Sequence, residues 1–418
     1  MKSQSHSIIR LFFKNIQSVI FIMLLSGVTI PVLSDDWPQW RGTKHDGKSN
    51  ETGLLKQWPE AGPDLAWKAK GVGIGYSSIS IANGMIYTLG DLDDGSYAIA
   101  LNELNGDLVW KTKIGEAGGH KGYPGPRSTP TVHEGQVFVL NQYSDLVCLD
   151  AKTGKKVWAV NLAKDFNAKM MSGWKYSESP LVDGDQVICT PGGKEGTLIA
   201  LNRKDGKMKW RTKDWIDPAG YSSVIVETIH GKRQYVQLTG KSVAGIDPSN
   251  GKILWKADRV GKTAVVTTPV VKDDIVFVTS AYGIGCNAFR IGKDGSTKQL
   301  YANTDIANHH GGVILHKGHI YGSSGRSFSS LNIETGELNF KGKSVGKGAT
   351  VFADGYLYLR SETGPVAIIE ATPKGFNEVS RFSQPERSKK KAWAHPVVAN
   401  GKLYLRDQDI LLCYTIKK

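Results

Sequence analysis

The strongest constraint on the fold of this chain is one phrase that recurs along its length. The clearest copies have an apolar run with small residues, then Asp or Asn, then Gly four positions later, and Trp after four more. The aromatic residues that end the successive copies are Trp67, Trp110, Trp158, Trp210, Trp255, Tyr301, Phe340 and Phe382. They are separated by 39 to 52 residues, and a period of about 40 to 50 residues is typical of four-stranded propeller blades.

One period divides into four strands by its alternation and its turn residues. In the copy that ends at Trp210, we predict strands over 179–182, 185–189, 197–201 and 207–210. Between the third and fourth strands, the glycine of the phrase supplies the left-handed backbone that a tight hairpin needs. Each copy is therefore expected to form one antiparallel sheet.

The two ends of the repeat array complete each other. The last copy, over 395–414, holds three strands, whereas the lone fourth-strand copy around Trp67 precedes the first full repeat. Pairing these two pieces removes the open strand edges that would otherwise promote aggregation. We therefore predict an all-β fold, an eight-bladed β-propeller whose ring is closed by an N-terminal strand that completes the C-terminal blade. Residues 35–418 form this single domain.

The segment before the repeats has the pattern of an export signal. Basic residues precede an apolar run over 16–33, so we interpret 1–34 as a signal peptide, with an uncleaved membrane anchor as the alternative. No other stretch is long enough to cross a bilayer. Val28 stands where a lipoprotein would carry its lipid-modified Cys. The pattern predicts an exported protein, periplasmic or extracellular, without a lipid anchor or, after signal cleavage, an integral membrane span.

The charge balance indicates which partners are favoured. The chain has 53 Lys and Arg against 39 Asp and Glu, a net charge of +14, which favours contact with acidic molecules. Nucleic acid is not expected, because the chain is predicted to be exported and carries no nucleic-acid-binding motif. Its four cysteines are too few for a disulfide scaffold, and we expect buried thiols without disulfides.

Candidate binding residues are those that interrupt the repeat near one face of the ring. In a propeller, the connection between blades lies on the same face as the loop between the second and third strands. The ligand-binding candidates at these places are Arg127, Trp174, Lys175, Tyr221, His309, His310, Lys347, Arg360, Trp393, His395 and Arg406. This cationic and aromatic set suits an acidic or carbohydrate-like ligand, because Arg binds carboxylates and Trp or Tyr stacks on apolar ring faces. The basic run 389–391 is either a solvated loop or a contact for an acidic polymer.

The sequence offers candidate catalytic residues but does not assign a catalytic role to any of them. His395 is the one bulky residue in a strand position otherwise held by small residues, so it either fills space or acts on a ligand. The weak catalytic candidates are His395, Glu178, Asp407 and Tyr221. The adjacent His309 and His310 would point to opposite sides of an extended segment and make a poor chelating pair. No metal site is predicted.

The repeat resembles the PQQ-like, or quinoprotein-like, β-propeller family, which includes quinoprotein dehydrogenases and BamB-like secreted bacterial proteins. The resemblance covers about 36–418 and rests on the Gly-x-x-x-Trp outer strand of several blades together with the small-residue third strand. It implies an eight-bladed propeller, but one fold hosts many functions. The dehydrogenases of the family imply a calcium ion held by acidic and amide side chains, an acidic base, and a disulfide between adjacent cysteines. Adjacent cysteines are missing here.

Three functions follow from these observations and the resemblance. The leading hypothesis is a monomeric secreted or periplasmic binding or scaffold protein for an acidic or carbohydrate-like ligand, or for an envelope protein partner. The alternative is a PQQ-dependent alcohol or sugar dehydrogenase, which would need PQQ with calcium and a base such as Glu178, Asp407 or His395. A second alternative is a polysaccharide hydrolase or lyase with His395 as base and Tyr221 as acid. The sequence holds no recognised catalytic motif, so the binding hypothesis comes first and the cofactor stays unknown.

Overall fold

The computed structural model describes residues 36–417, which form eight four-stranded antiparallel sheets. These sheets confirm the predicted all-β, eight-bladed propeller. The predicted signal peptide over 1–34 lies outside the described residues. We number the blades 1 to 8 along the chain, and the strands of each blade first to fourth from the central channel outward.

The strand bounds of the first four blades follow the predicted period. Blade 1 consists of Ser80–Ala82, Met85–Leu92, Gly95–Asn102 and Leu108–Gly115. Blade 2 consists of Thr131–His133, Gln136–Leu140, Asp145–Asp150 and Lys156–Asn161. Blade 3 consists of Leu181–Asp183, Gln186–Cys189, Ile199–Asn202 and Met208–Arg211. Blade 4 consists of Ile225–Ile229, Lys232–Leu238, Ser242–Ile246 and Ile253–Asp258.

The other four blades repeat the same order. Blade 5 consists of Val270–Lys272, Ile275–Ser280, Gly285–Ile291 and Thr297–Asn303. Blade 6 consists of Val313–His316, His319–Ser324, Ser327–Asn332 and Leu338–Lys343. Blade 7 consists of Gly348–Ala353, Tyr356–Ser361, Val366–Glu370 and Glu378–Phe382. Blade 8 consists of Val397–Ala399, Lys402–Asp407, Ile410–Thr415 and, as its fourth strand, Leu65–Lys70.

Blade 8 closes the ring in the predicted way. The N-terminal strand Leu65–Lys70 pairs antiparallel with Ile410–Thr415, and Trp67 lies opposite Cys413. Because the first and last strands of the repeat array share one sheet, the third strand of blade 8 is paired on both edges. Hydrophobic clusters then fill the spaces between neighbouring blades, as where Phe138 of blade 2 and Val187 of blade 3 share one buried cluster.

The repeated phrase locks each blade to the next one at the outer rim. Trp158 of blade 2 donates its indole N–H to the carbonyl of Arg203 in blade 3, at 2.8 Å. Its ring covers Gly206, where an added Cβ would come within 2.8 Å of the indole and where φ is +72°. The rim indoles that bond to the third-to-fourth-strand turn of the next blade are Trp67, Trp110, Trp158 and Trp210. Aromatic residue and glycine therefore recur together because they form one contact.

The segment before the closing strand crosses the central channel, which the sequence analysis did not predict. Residues 36–50 form this segment, here called the plug. Trp37 pairs with Ile81 of blade 1, the Arg41 guanidinium donates to the Val313 carbonyl of blade 6 at 2.6 Å, and Ser49 N–H donates to Phe352 of blade 7. Because these partners belong to first strands, the plug divides the channel into two cavities.

Two smaller elements lie between blades. A two-residue-per-strand hairpin, Gly119–His120 with Tyr123–Pro124, precedes blade 2. A five-residue helix, Leu162–Phe166, follows blade 2. In residues 36–417, no helix is long and apolar enough to cross a membrane. The four cysteines, Cys148, Cys189, Cys286 and Cys413, are buried and free.

Candidate functional site

One cavity opens on the face formed by the blade-to-blade connections, and we call it the front cavity. It encloses about 770 Å³ of space, including its open mouth. Its lining residues are Trp40, Tyr76, Arg127, Trp174, Ser177, Tyr221, Ser223, Ala264, Val266, Tyr282, His309, His310, Trp393 and His395. Seven of the predicted ligand-binding candidates thus lie around one cavity, because the connections before several blades converge on the channel.

A cluster of aromatic side chains, here called the aromatic wall, begins at the lining of the front cavity and continues beyond it. It consists of Tyr76, His120, Tyr123, Trp174 and Trp393. The Tyr123 and Trp393 rings stack at a centroid distance of 4.7 Å, and Trp174 stacks on His120 at 4.0 Å. Tyr76 packs against Trp393 at 4.8 Å. The short hairpin that carries His120 and Tyr123 thereby extends this wall from the connection before blade 8 to the connection before blade 3.

Arg127 is a charged group set within this wall. Its guanidinium donates to the carbonyls of Tyr123 at 2.6 Å and Trp174 at 3.1 Å, and it lies 5.7 Å from the centre of the Tyr76 ring. Among the ion pairs of residues 36–417, none involves Arg127. Burial lowers the pKa of Arg127, but a guanidinium stays charged at neutral pH. The cavity therefore contains a positive charge that no carboxylate neutralises.

The floor of the front cavity is made by the plug and by His395. The rings of Trp40 and His395 lie 4.4 Å apart, and Nε2 of His395 is 2.8 Å from the carbonyl of His310. Burial lowers the pKa of His395 to about 3, so the ring is neutral at pH 7 and Nε2 carries its proton. Below it, Arg41 is buried with its Nη1 unpaired within the described chain. A Cβ at Gly312 would come within 2.1 Å of that nitrogen, which explains the glycine.

Two histidines and a tyrosine form another part of the cavity lining. The Tyr282 hydroxyl is 2.8 Å from Nε2 of His309, and the two histidine rings are nearly perpendicular, with centroids 5.1 Å apart. Burial lowers the pKa of His309 to about 4 and that of His310 well below its ordinary value, so both are neutral. Only 9% of the His310 side chain is exposed, and its Nε2 lies 4.0 Å from the Glu362 carboxylate, but neither ring nitrogen forms a hydrogen bond within residues 36–417.

One carboxylate stands at the rim, and the protein itself neutralises it. Glu362 accepts hydrogen bonds from Lys391 at 3.0 Å and from the Trp393 indole at 3.1 Å, and Lys347 lies at 3.4 Å. Burial raises the pKa of Glu362, but these hydrogen bonds and charges outweigh it, so the pKa lies below its ordinary value. Lys347 is therefore a rim residue, held outside the lining of the cavity by this carboxylate.

The structure places several predicted site residues outside the front cavity. Arg360 and Arg406 are buried between blades and donate mainly to carbonyls, such as that of Val72 at 3.1 Å from Arg406. Asp407 accepts from Arg387 at 2.6 Å. These side chains hold neighbouring blades and the loop before blade 8 together.

Glu178 and Lys175 also lie away from the cavity lining. The buried Glu178 carboxylate accepts from the Thr190 N–H at 2.5 Å, and burial raises the pKa of Glu178 to about 7. Lys175 is exposed, and its ammonium lies 5.5 Å from the centre of the Tyr143 ring. Of the catalytic candidates, only His395 and Tyr221 reach the cavity, and the Tyr221 hydroxyl bonds to Ser172 at 2.6 Å.

A second cavity, of about 1120 Å³, lies on the other side of the plug. Its charged groups are mostly paired within the protein. Asp183 forms two hydrogen bonds with Arg233, at 2.5 and 2.6 Å, and Asp46 lies 3.8 Å from Lys48. The front cavity, with the unpaired Arg127, is therefore the better candidate for recognising an anion.

The repeats relate the chain to known proteins. Residues 94–341 match the model of a PQQ-repeat family that is described as outer membrane protein assembly factor BamB. The chain belongs to this BamB-like family. A stretch of 107 residues, 26% of this chain and 25% of the relative, is 34% identical to BamB of Xanthomonas campestris. Another of 169 residues, 37% of this chain and 27% of the relative, is 30% identical to the quinoprotein ethanol dehydrogenase of Pseudomonas aeruginosa.

Solved structures show the same fold as this BamB-like chain. BamB from Moraxella catarrhalis superposes with a TM-score of 0.56 at 18% identity, covering 79% of this chain and 94% of that one. Quinohemoprotein alcohol dehydrogenase from Comamonas testosteroni gives 0.64 at 13% identity, covering 92% and 81%. The chain matches only about a quarter of the length of the two curated relatives named above.

We tested whether the front cavity of this BamB-like propeller suits PQQ with calcium. The aromatic wall and Arg127 offer ring faces and a charge to a planar, carboxylate-bearing quinone. Calcium prefers carboxylate and carbonyl oxygens, but no lining side chain of the cavity is a carboxylate. The nearby Glu362 is already bound by two lysines and an indole. The cavity thus suits the quinone ring and does not suit its metal.

Three aromatic lining residues were missed by the sequence reasoning. Tyr76 begins Tyr-Ser-Ser in the same connection position as Tyr221, so comparison of the copies could have found it. Tyr282 lies in the loop between the second and third strands of blade 5, with φ of +61°. Trp40 belongs to the plug, which has no counterpart in the repeat, and no local signal places it under the cavity.

Proposed function

We propose that this BamB-like propeller is an exported binding protein of the cell envelope, and that its front cavity holds an acidic, carbohydrate-like ligand. The observation that carries the proposal is Arg127, a charged guanidinium without a carboxylate partner, set among aromatic rings. An anionic ligand would supply the missing negative charge.

The remaining hydrogen-bonding capacity of Arg127 supports this ligand class. A guanidinium has five N–H donors, and its described bonds to the Tyr123 and Trp174 carbonyls leave others free. These two bonds fix the orientation of the side chain, so less freedom is lost when a carboxylate binds. Arg and carboxylate can then form two parallel hydrogen bonds.

The rest of the cavity suits the ring and hydroxyl groups of a sugar. The partly exposed Trp174 offers a flat apolar face at the lining, against which the C–H face of a pyranose packs. The neutral rings of His309 and His395 can donate or accept hydrogen bonds, as sugar hydroxyls do. A ligand with both an apolar face and hydroxyl groups therefore uses more of this surface than a simple anion does.

Membership in the BamB-like family supports the envelope location and a scaffold role. A relative in that family is described as an outer membrane protein assembly factor, and the predicted signal peptide over 1–34 agrees with export. An envelope protein partner would be bound at surfaces outside the front cavity.

A quinoprotein dehydrogenase is the second candidate function, favoured by the 30% identity with a quinoprotein ethanol dehydrogenase over 169 residues. In that case the aromatic wall would hold PQQ and Arg127 would bind one of its carboxylates. Titration of residues 35–418 with PQQ and calcium separates the candidates. Tight stoichiometric binding with oxidation of alcohols or sugars would replace our proposal.

The direct test is calorimetric titration of residues 35–418 with D-galacturonate and with neutral D-galactose. We expect galacturonate to bind at least about tenfold more tightly, since one charge-assisted bidentate bond is worth about 1.5 to 3 kcal/mol. Arg127→Gln should reduce the affinity for galacturonate to that for galactose. Arg326→Gln, a matched change at an exposed arginine, should have no effect. Equal binding of galacturonate by Arg127→Gln and the parent protein would contradict the proposal.

A further inference from the structure

The aromatic wall continues beyond the front cavity toward solvent. His120 and Tyr123 do not line the cavity, but they stack on Trp174 and Trp393, which do. Both are partly exposed. The steps between ring centroids are 4.7 Å from Trp393 to Tyr123, 5.8 Å from Tyr123 to Trp174, and 4.0 Å from Trp174 to His120. The Trp393, Tyr123 and Trp174 rings therefore form a row at the mouth, and His120 packs beside both Trp174 and Tyr123, at 6.0 Å from the latter.

Lysines stand at the Trp393 end of this row. The loop that carries 389–391 is anchored, because Ser388 donates through its N–H and its hydroxyl to the buried carboxylate of Asp407, at 2.8 and 2.6 Å. Lys391 and the Trp393 indole bind the same Glu362 carboxylate. The two lysines before it are exposed and have no ion pair within residues 36–417. The basic run thus lies at the edge of Trp393.

A lysine also stands at the Trp174 end. Lys175 follows Trp174 directly, is exposed and forms no ion pair within the described chain. Its ammonium lies over the Tyr143 ring, and the Tyr143 hydroxyl accepts from the N–H of Gly119, next to His120. This contact keeps the charge beside the hairpin.

We infer that the ligand of the front cavity is one part of a linear acidic polysaccharide, whose neighbouring units lie along this row of rings and charges. The row, here called the track, consists of Lys389, Lys390, Trp393, Tyr123, Trp174 and Lys175. This inference rests on the proposed function, because the cavity residues must first bind one acidic sugar. The track then supplies ring faces to the adjoining units and ammonium groups to their carboxylates.

The geometry and the predicted export favour a polysaccharide over the other acidic polymers. An acidic peptide has no flat apolar rings to place on Trp174 and Tyr123. Single-stranded nucleic acid stacks its bases on aromatic platforms and would use the same outer ring faces as a sugar, but a chain predicted to be exported meets acidic polysaccharides in the cell envelope.

The test compares galacturonate oligomers of one, three and six units in titrations with residues 35–418. We expect affinity to rise by about tenfold or more from one unit to six, because track contacts are added within one molecule, and the hexamer to depend more steeply on salt. The triple variant Lys175→Gln, Lys389→Gln, Lys390→Gln should lose this gain and bind the monomer unchanged. A control triple variant, Lys155→Gln, Lys207→Gln, Lys252→Gln, changes exposed lysines of the outer turns and should retain the gain.

The outcomes separate the inference from the proposed function. Monomer binding without any gain in affinity with length would overturn the track and leave the cavity proposal standing. Absence of binding to all three uronates would refute the proposed function and the inference with it. Binding of poly-glutamate or oligo-dT as tight as that of the hexamer, and equally dependent on the three lysines, would overturn the assignment to a polysaccharide.

Discussion

The outer rim and the front cavity both contain tryptophans, but these side chains have different roles in the two regions. At the rim, Trp67, Trp110, Trp158 and Trp210 occupy equivalent positions, and each indole N–H bonds to the same turn of the following blade. In the cavity, Trp40, Trp174 and Trp393 come from unrelated segments, and among the aromatic lining residues the shared connection position is that of Tyr76 and Tyr221. Repeated aromatic residues therefore stabilise the ring, whereas single ones mark the place where the ring can bind something else.

The largest expected effect tests this contrast through stability. Trp158→Ala should lower the free energy of unfolding by about 3 to 5 kcal/mol, because it removes a large buried side chain and leaves a cavity between blades 2 and 3. Trp174→Ala, at the partly exposed mouth, should cost much less and abolish galacturonate binding. Urea unfolding and calorimetric titration of both variants measure the two quantities.

Two results would contradict this contrast between the rim and the mouth of the cavity. If Trp158→Ala unfolds at the same urea concentration as the parent protein, the rim contact does not stabilise the blades. If Trp174→Ala binds galacturonate normally, the mouth is not the site. Trp158→Phe, which keeps a ring and loses the N–H donor, should fall between the parent protein and the alanine variant.

A smaller effect concerns Glu178, which sequence reasoning offered as a catalytic base. Its folded-state pKa of about 7 lies above the ordinary value of 4.5 because of burial, so folding favours the protonated form. Stability from this group is fully present below about pH 4.5 and is lost as pH rises through about 7. Glu178→Gln should remove that loss, and its thermal midpoint should exceed that of the parent protein at pH 8.

The control for this prediction is ligand binding. Glu178→Gln should bind galacturonate normally at every pH, since Glu178 does not line the front cavity. Equal pH dependence of the thermal midpoint in both proteins would contradict the raised pKa of the buried Glu178 carboxyl. Loss of binding would place it in the site after all.

The fold could be predicted from the sequence because the residue pattern that specifies one blade is repeated along the chain. Eight copies of one phrase indicate the blades, and the isolated copy at Trp67 indicates how the ring closes. For the copy at Trp210, the observed strand bounds lie within two residues of the predicted ones. Each position of the repeat is supported by several blades, so a single irregular residue does not hide the pattern.

The site could be predicted only in part, because most of its residues have no counterpart in the other copies of the repeat. Arg127 and Trp174 were found as interruptions of the repeat. Arg406 interrupts it equally well, but the carbonyls that surround it come from residues such as Val72, more than three hundred positions away. The plug, with Trp40 and Arg41, has no repeat partner at all. Charge and position in the chain can suggest that a residue binds a ligand. Only the packed structure shows whether other groups of the protein already bond to that residue.

The most direct measurement of the central claim is a nitrogen-edited spectrum of the indole N–H groups during titration with galacturonate. All 11 tryptophans of the chain lie within the described residues, so rim and mouth are observed together. We predict that the signals of Trp40, Trp174 and Trp393 shift with ligand, and that those of Trp67, Trp110, Trp158 and Trp210 stay in place. Shifts confined to the rim indoles, or no shift at any indole, would contradict the account.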